Sequence, residues 1–236
     1  MPEQKSENDV SQPGLVLDQG HLKEELGDDV LSLRAKHDCP SDMAVIPGSS
    51  IKWVWTYSEQ GEHRRVQTKL REIKPFCMDR YEYPNRIHAM PRTEVSYIEA
   101  QDLCSKEGKY LCTEFQWEFS CSGEEGRPYS YGMQKEPWRC NTDGVATGNT
   151  VLIAPAGSHP GCRNRYGVFD LNGNVSEWVA MRERGSLGVV RGGTAWPTDE
   201  YGQSCFSRHA HPVTDSQWPD DGFRCCKDAV VRSGGN

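Results

Sequence analysis

The fold of this 236-residue chain is decided by one stretch, "YGVFDLNGNVSEWV", residues 166–179. It sets Asn172, Gly173 and Asn174 in a row, with Asp170 before them and Glu177 beside Trp178 after them. Glycine lets the backbone curl where other residues would clash, so the run reads as a tight turn with an acid at each end. A hard cation such as calcium takes six to eight oxygens from carboxylates and backbone carbonyls, and the turn offers both kinds. The other reading is a hydrogen-bonded turn with surface acids and no ion.

Around this turn the composition narrows the field. Lys and Arg number 27 against 34 Asp and Glu, a net charge of −7. Phosphate binding needs a basic footprint, so no nucleic acid partner is expected. The densest basic run, "HRRVQTKLREIK" (63–74), alternates Val66, Thr68 and Leu70 with its charges and reads as a strand with a solvated face. The sequence has no run of eighteen apolar residues, and no membrane span is expected. Ten cysteines, at 39, 77, 104, 112, 121, 140, 162, 205, 225 and 226, form no CxxC pair, which argues against a zinc ribbon or a thioredoxin-type site. Dispersed and even in number, they point to disulfides and an oxidising compartment. The opening "MPEQKSENDVSQPG" contains no apolar export segment. Either such a segment has been removed or the protein is cytosolic with free thiols. The cysteines favour the first, an extracytoplasmic (periplasmic or secreted) location.

Residues 1–38 are polar and read as a tail or linker, with one short helix inside "HLKEELGDDVLSLRAK" (21–36). A globular composition runs over 39–230, and 231–236 read as a second tail. "MAVIPG" and "IKWVWTY" read as strands. "VSYIEAQDLCSKEG" is a helix capped by Ser96, with Glu99 completing a capping box and Gly108 as the stop. "TEFQWEFSCSG" repeats the design with Thr113, Gln116 and Gly123. Beyond Gly123, regular patterning nearly vanishes, with short strands such as "GVVRGG" and "GFRCC". A loop-rich domain of this kind needs disulfides or bound ions to hold it.

Seven segments in order, "MAVIPG", "FCMDRYEYPN", "VSYIEAQDLCSKEGKYLCTEFQWEFSCSG", "YSYG", "YGVFDLNGNVSEWV", "VVRGGT" and "DGFRC", resemble the formylglycine-generating enzyme (sulfatase-modifying factor) family over roughly residues 41–228. The resemblance implies an irregular, loop-rich α+β fold related to C-type lectins, with two helices and small mixed sheets. It implies a calcium site in which Asp170 and Glu177 give side-chain oxygens, Gly173 and Val175 give carbonyls, and Trp178 packs beneath. Asn141 and Thr142 match half of a second calcium site. The other half needs an acid where this chain has Gly157, with His159 used through its carbonyl. Asp143 is a substitute donor, and an empty second site is an equal alternative. Two disulfides carry over by resemblance, Cys104–Cys225 and Cys121–Cys205. The pairing of the other six cysteines stays open, although Cys140 and Cys162 flank one loop.

The family's enzymes oxidise a substrate cysteine to formylglycine with O₂ and copper held by two cysteines shortly after "RGGS". Here "RGGTAWPTDEYGQSC" puts Thr194 at the serine, Pro197 at the first cysteine and Gly202 near the second. Neither binds a soft metal, so copper and formylglycine synthesis are not expected. Ser176 also replaces the tryptophan usual in the turn. His209 and His211 stand two apart, on one side of a strand, and with Asp215 or Asp220 would form a carboxylate–histidine site; two surface loop histidines are the plainer reading. The expectation is a non-catalytic extracytoplasmic module, calcium-stabilised and disulfide-bonded. Its groove, with Thr194, Trp196, His209 and His211, would take a peptide, protein or small polar ligand. An oxidative or maturation enzyme using another metal, or none, in the same groove is the alternative.

Overall fold

The computed structural model describes residues 28–59, 63–142, 153–182, 187–196, 202–214 and 218–232. The first half holds α1 (Asp28–Lys36), β1 (His37–Asp38), β2 (Met43–Ile46), β3 (Ser49–Glu59), β4 (His63–Ile73), β5 (Phe76–Asp79), α2 (Tyr97–Lys106), β6 (Tyr110–Leu111) and α3 (Glu114–Ser122). The second half holds β7 (Ser176–Arg182), β8 (Leu187–Arg191), β9 (Arg208–Pro212), β10 (Asp221–Phe223), β11 (Cys225–Asp228) and β12 (Val230–Val231). Between α3 and β7 the described residues form turns and isolated bridges. The fold is α+β and loop-rich, with three helices rather than two among the described residues. The third, α1, lies in the stretch that reads as a short helix. Its Val30 is buried in the main core, and β1 pairs with β12, so the packed unit includes residues before Cys39. Residues 1–27 and 233–236 lie outside the described residues.

Both capped helices start where their sequence signals place them. Ser96 Oγ accepts from Glu99 N, and the Glu99 carboxylate accepts from Ser96 N; Thr113 and Gln116 do the same for α3. Gly123, with φ 66°, closes α3.

Two four-stranded sheets carry the core, in the orders β2-β5-β11-β6 and β10-β7-β8-β9. In the second, β10 runs parallel to β7 while β7–β8 and β8–β9 are antiparallel. Successive side chains of a strand point to opposite faces. Val179 and Val189 accordingly join the cluster of Trp117 and Phe119 from α3. Trp178 and Val190 join the cluster of Tyr97 and Ala100 from α2. The sheet is thus a partition with apolar packing on both faces, and the 166–179 turn feeds straight into its central strand.

Five disulfides tie the loops to this partition: Cys39–Cys77, Cys104–Cys225, Cys112–Cys226, Cys121–Cys205 and Cys140–Cys162. The neighbours Cys225 and Cys226 face opposite sides of β11 by the same alternation. One reaches the α2 cluster and the other the α3 cluster. In the chain-entropy picture, a bridge closing a loop of about 100 residues stabilises the native state by about 4–5 kcal/mol. The separations of 121, 114 and 84 residues fall in that class.

Candidate functional site

Four residues of the 166–179 stretch adopt positive φ: Gly167 at 77°, Asp170 at 59°, Gly173 at 78° and Asn174 at 62°. Asparagine and aspartate tolerate this region; Gly173 is required for a second reason. A Cβ there would stand 2.4 Å from the backbone oxygen of Asn141 and 2.8 Å from Thr142 Cγ2. The turn is therefore pressed against the Asn141–Thr142 segment, and hydrogen bonds fasten the two. Asn174 N donates to Asn141 O (2.9 Å) and Asn141 Nδ2 donates to Asn174 Oδ1 (2.8 Å). Asn174 Oδ1 also accepts from Ala154 N (2.8 Å), while its Nδ2 donates to Glu82 Oε1 (2.9 Å). Asn172 Oδ1 accepts from Ser130 N, and its Nδ2 donates to Gln203 O. Gly173 N reaches Gly192 O and Ser176 N reaches Asp220 O. The turn is the knot through which the irregular loops hold one another. The buried amides of Asn172, Asn174 and Gln203 do this work; the Asn-Gly-Asn run marks the first two as turn residues, but no local pattern marks Gln203.

The acids are arranged differently from the expectation. Glu177 accepts from Arg224 Nε at 2.7 Å and from Arg224 Nη2 at 2.6 Å, one bond to each oxygen. Trp117 Nε1 adds a third donor at 2.7 Å. Both carboxylate oxygens thus accept hydrogen bonds, and Glu177 is the partner of a buried guanidinium. Arg224 also donates to the carbonyls of Asp79, Arg80 and Phe169. Burial works to lower its pKa, but the charge and hydrogen bonds of Glu177, with Glu82 and Asp170 behind, hold it above the ordinary arginine value.

Asp170 Oδ2 accepts from Gly157 N (2.6 Å). Gly157 therefore meets the turn through its backbone, at the position where an acid was sought. Burial pushes the Asp170 carboxyl up to about 6. Burial and then the charge of Asp170 hold Glu82 well above the usual carboxylate range. Three buried carboxylates thus face one guanidinium, and Glu82 Oε2 is buried with no hydrogen-bond partner among the described residues. Among the described residues no group of three or more His, Cys, Asp or Glu is arranged to hold a metal. The surplus charge and the spare oxygen lie with Glu82 and Asp170. Asn174 links Glu82 to Asn141, Gly173 lies against Asn141 and Thr142, and Val175 is buried next to Asn174 in the chain; Asp143 lies outside the described residues.

At the "RGGT" end, Gly192 (φ 94°) and Gly193 (φ 74°) turn the chain away from β8. Gln203 Nε2 lies within 2.8 Å of the carbonyls of Thr142, Thr194 and Trp196. Pro197 falls outside the described residues, and Gly202 is in a left-handed bend. Cys205, the nearest sulfur, is bonded to Cys121. His209 and His211 do face one side of β9, but they pair with Val190 and Gly188. Asp215 lies outside the described residues, and Asp220 acts on His211 through its charge. His211 Nδ1 meets Asp221 Oδ2 at 2.6 Å, with the rings of Trp178 and Trp218 against the imidazole. A cleft of about 390 Å³ opens elsewhere, between the end of β4 and the start of α3, lined in part by Lys74, Tyr110, Phe115 and Asp228.

Comparison with known proteins agrees with this architecture. Residues 56–229 match the sulfatase-modifying factor enzyme 1-like domain. The bovine (Bos taurus) "Inactive C-alpha-formylglycine-generating enzyme 2" is 31% identical over 157 residues, covering 59% of this chain and 50% of that protein. The formylglycine-generating enzyme of Streptomyces coelicolor is 28% identical over 224 residues, covering 81% of this chain and 66% of that protein. The chain thus spans between half and two thirds of the length of these relatives. Among solved structures, CarF superposes with a TM-score of 0.57 at 16% identity, covering 80% of this chain and 98% of that one. Treponema denticola variable protein 1 gives 0.57 at 14% identity, covering 82% and 98%. With its matching domain spread over most of its length and the buried turn at its centre, this chain belongs to the sulfatase-modifying factor enzyme 1-like family.

Proposed function

We propose that this protein is a non-catalytic member of its family, a binding or accessory module that works in an oxidising compartment outside the cytoplasm. One observation carries the reading: all ten cysteines are in disulfides. Copper-dependent oxidation of a substrate cysteine needs soft thiolates to hold the metal, and no thiol is left for it. Cys205 would have to leave Cys121 to serve, and one sulfur is not a pair. A relative whose name calls it inactive is consistent with loss of the chemistry. The walls built by "RGGT" and "GFRC" would take a peptide, protein or small polar ligand. We extend the proposal to calcium, held by Asp170 and Glu82 with neighbouring carbonyl oxygens. A hard cation there would neutralise the surplus charge and occupy Glu82 Oε2.

The test offers a sulfatase-type cysteine peptide to the protein under O₂ with copper supplied, read by peptide mass spectrometry. The expected result is an unchanged thiol. Conversion to the aldehyde above a no-protein control overturns the reading. The His211–Asp221 pair favours the second reading, an enzyme of other chemistry. Stoichiometric copper or iron in protein purified without added metal would support that alternative.

A further inference from the structure

The cleft beside the start of α3 lies apart from the 166–179 turn and is lined by none of its residues. Its volume, about 390 Å³, is in the range that holds small molecules. Its floor is apolar, because Ile73 and Phe76 are buried. Register sets the walls. Phe76 on β5 stands opposite Asp228 on β11, and Tyr110 on β6 stands opposite Cys226. Cross-strand partners share a face, and so do residues two apart on one strand. Phe76, Asp228 and Tyr110 therefore lie on one face of that sheet. It is the face packed toward α3, since Cys226 clusters with Trp117 and Phe119, and Phe115 of α3 joins the lining.

Polar atoms hold this arrangement in place. Gln116 Oε1, which closes the cap of α3 by accepting from Thr113 N (2.9 Å), belongs to an amide that also donates through Nε2 to the Tyr110 hydroxyl (2.9 Å). That hydroxyl donates in turn to Asp228 Oδ1 (2.9 Å). Burial pushes the Tyr110 hydroxyl up to about 12, so it remains a donor at neutral pH. A chain of bonds from helix cap to carboxylate thus fixes the ring of Tyr110 and the charge of Asp228. The other charged groups in the lining, Glu72 and Lys74, are opposite in sign. Both are exposed, on long side chains that can turn their heads to water. The fixed charge of the cleft is negative.

We infer that this cleft binds a primary ammonium group carried on a short apolar stem. The ammonium sits against the Asp228 carboxylate beside the rings of Tyr110 and Phe115, and the stem covers Ile73 and Phe76. An ionised carboxylate has room for about four donors, so Asp228 takes this one and keeps Tyr110. Aromatic faces are electron-rich and attract a cation. An anion drawn to Lys74 would meet the Asp228 charge instead. Because the polar wall is already held, binding requires little further ordering of the protein. Two sources supply this chemistry, a free alkylamine and the lysine side chain of a peptide. The inference stands whether or not the family chemistry is lost.

The test titrates the full chain at neutral pH and low salt with n-butylammonium, n-butanol and butyrate, reading backbone amide shifts by NMR. Butylammonium is expected to shift residues 72–76, 110–116 and 228 saturably, at lower concentration than butanol or butyrate. That comparison is made on wild type and needs no variant. Asp228→Asn can still accept from Tyr110, and it should weaken butylammonium binding by about tenfold or more. A capped Gly-Lys-Gly peptide then distinguishes the sources. Binding tighter than butylammonium supports a peptide lysine as the ligand, and weaker binding supports a free amine. No saturable shift at these residues overturns the inference. So does a preference for butyrate, equal binding of butanol, or a folded Asp228→Asn variant that binds as wild type does.

Discussion

Arg224 is the residue whose loss should be felt most. It is fully buried and answers both oxygens of Glu177. Breaking a buried ion pair from one side leaves the other charge stranded, which typically costs about 3–5 kcal/mol. Arg224→Leu should therefore destabilise the domain by about that amount in urea denaturation, and adding Glu177→Leu should restore much of it, because the stranded charge goes too. Glu82 predicts the opposite behaviour. Its Oε2 has no hydrogen-bond partner among the described residues, so Glu82→Gln removes a charge that the apoprotein gains little from holding. With chelator present, Glu82→Gln should melt at or above wild type. Calcium should raise the melting temperature of wild type but not of Glu82→Gln, since an ion bound by the native state stabilises by mass action. A calcium response that survives Glu82→Gln and disappears in Glu177→Gln would return the ligand role to Glu177.

At the scale of elements, α3, β8 and β9 are joined by ions as well as by apolar packing. Arg191 on β8 meets Glu114 and Glu118 on α3, and Arg208 on β9 meets Glu114. Burial pushes the Glu118 carboxyl up to about 7, with Arg191 opposing the shift. Burial works to lower the His211 imidazole, but its bond to Asp221 wins and raises it. Both folded-state values lie above the unfolded ones, so both groups hold protons more tightly when folded. Their contribution is complete below the unfolded pKa and is lost as pH rises, for Glu118 between about 4.5 and about 7 and for His211 above about 6.5. The Glu118 share is on the order of 2–3 kcal/mol. The melting temperature should fall from pH 5 to pH 8, and Glu118→Gln should flatten the slope. The helices among these elements were legible because their caps are local: Ser96 with Glu99 and Thr113 with Gln116 are read within four residues. The pairing of β3 with β4 was not, because register is a tertiary fact. For the same reason Asp221 could not be named as the partner of His211, because the two strands meet only in the folded sheet.

At the scale of the whole molecule, the sequence announced a loop-rich domain held by cross-links, and two of its bridges followed from resemblance. Cys112–Cys226 did not, because it needs the opposite faces of β11 and hence the sheet itself. Arg224 and Glu82 were equally hidden, since their roles come from complete burial beside the turn and not from any local pattern. The bridges decide more than stability. They leave no free thiol to hold copper, and the proposed binding scaffold rests on that. Alkylation of natively produced protein without reductant, followed by intact-mass measurement, tests this claim most directly. The account predicts no alkyl group on any of the ten cysteines. An intact mass carrying two or more adducts, with peptide mapping to Cys121 and Cys205, would contradict it.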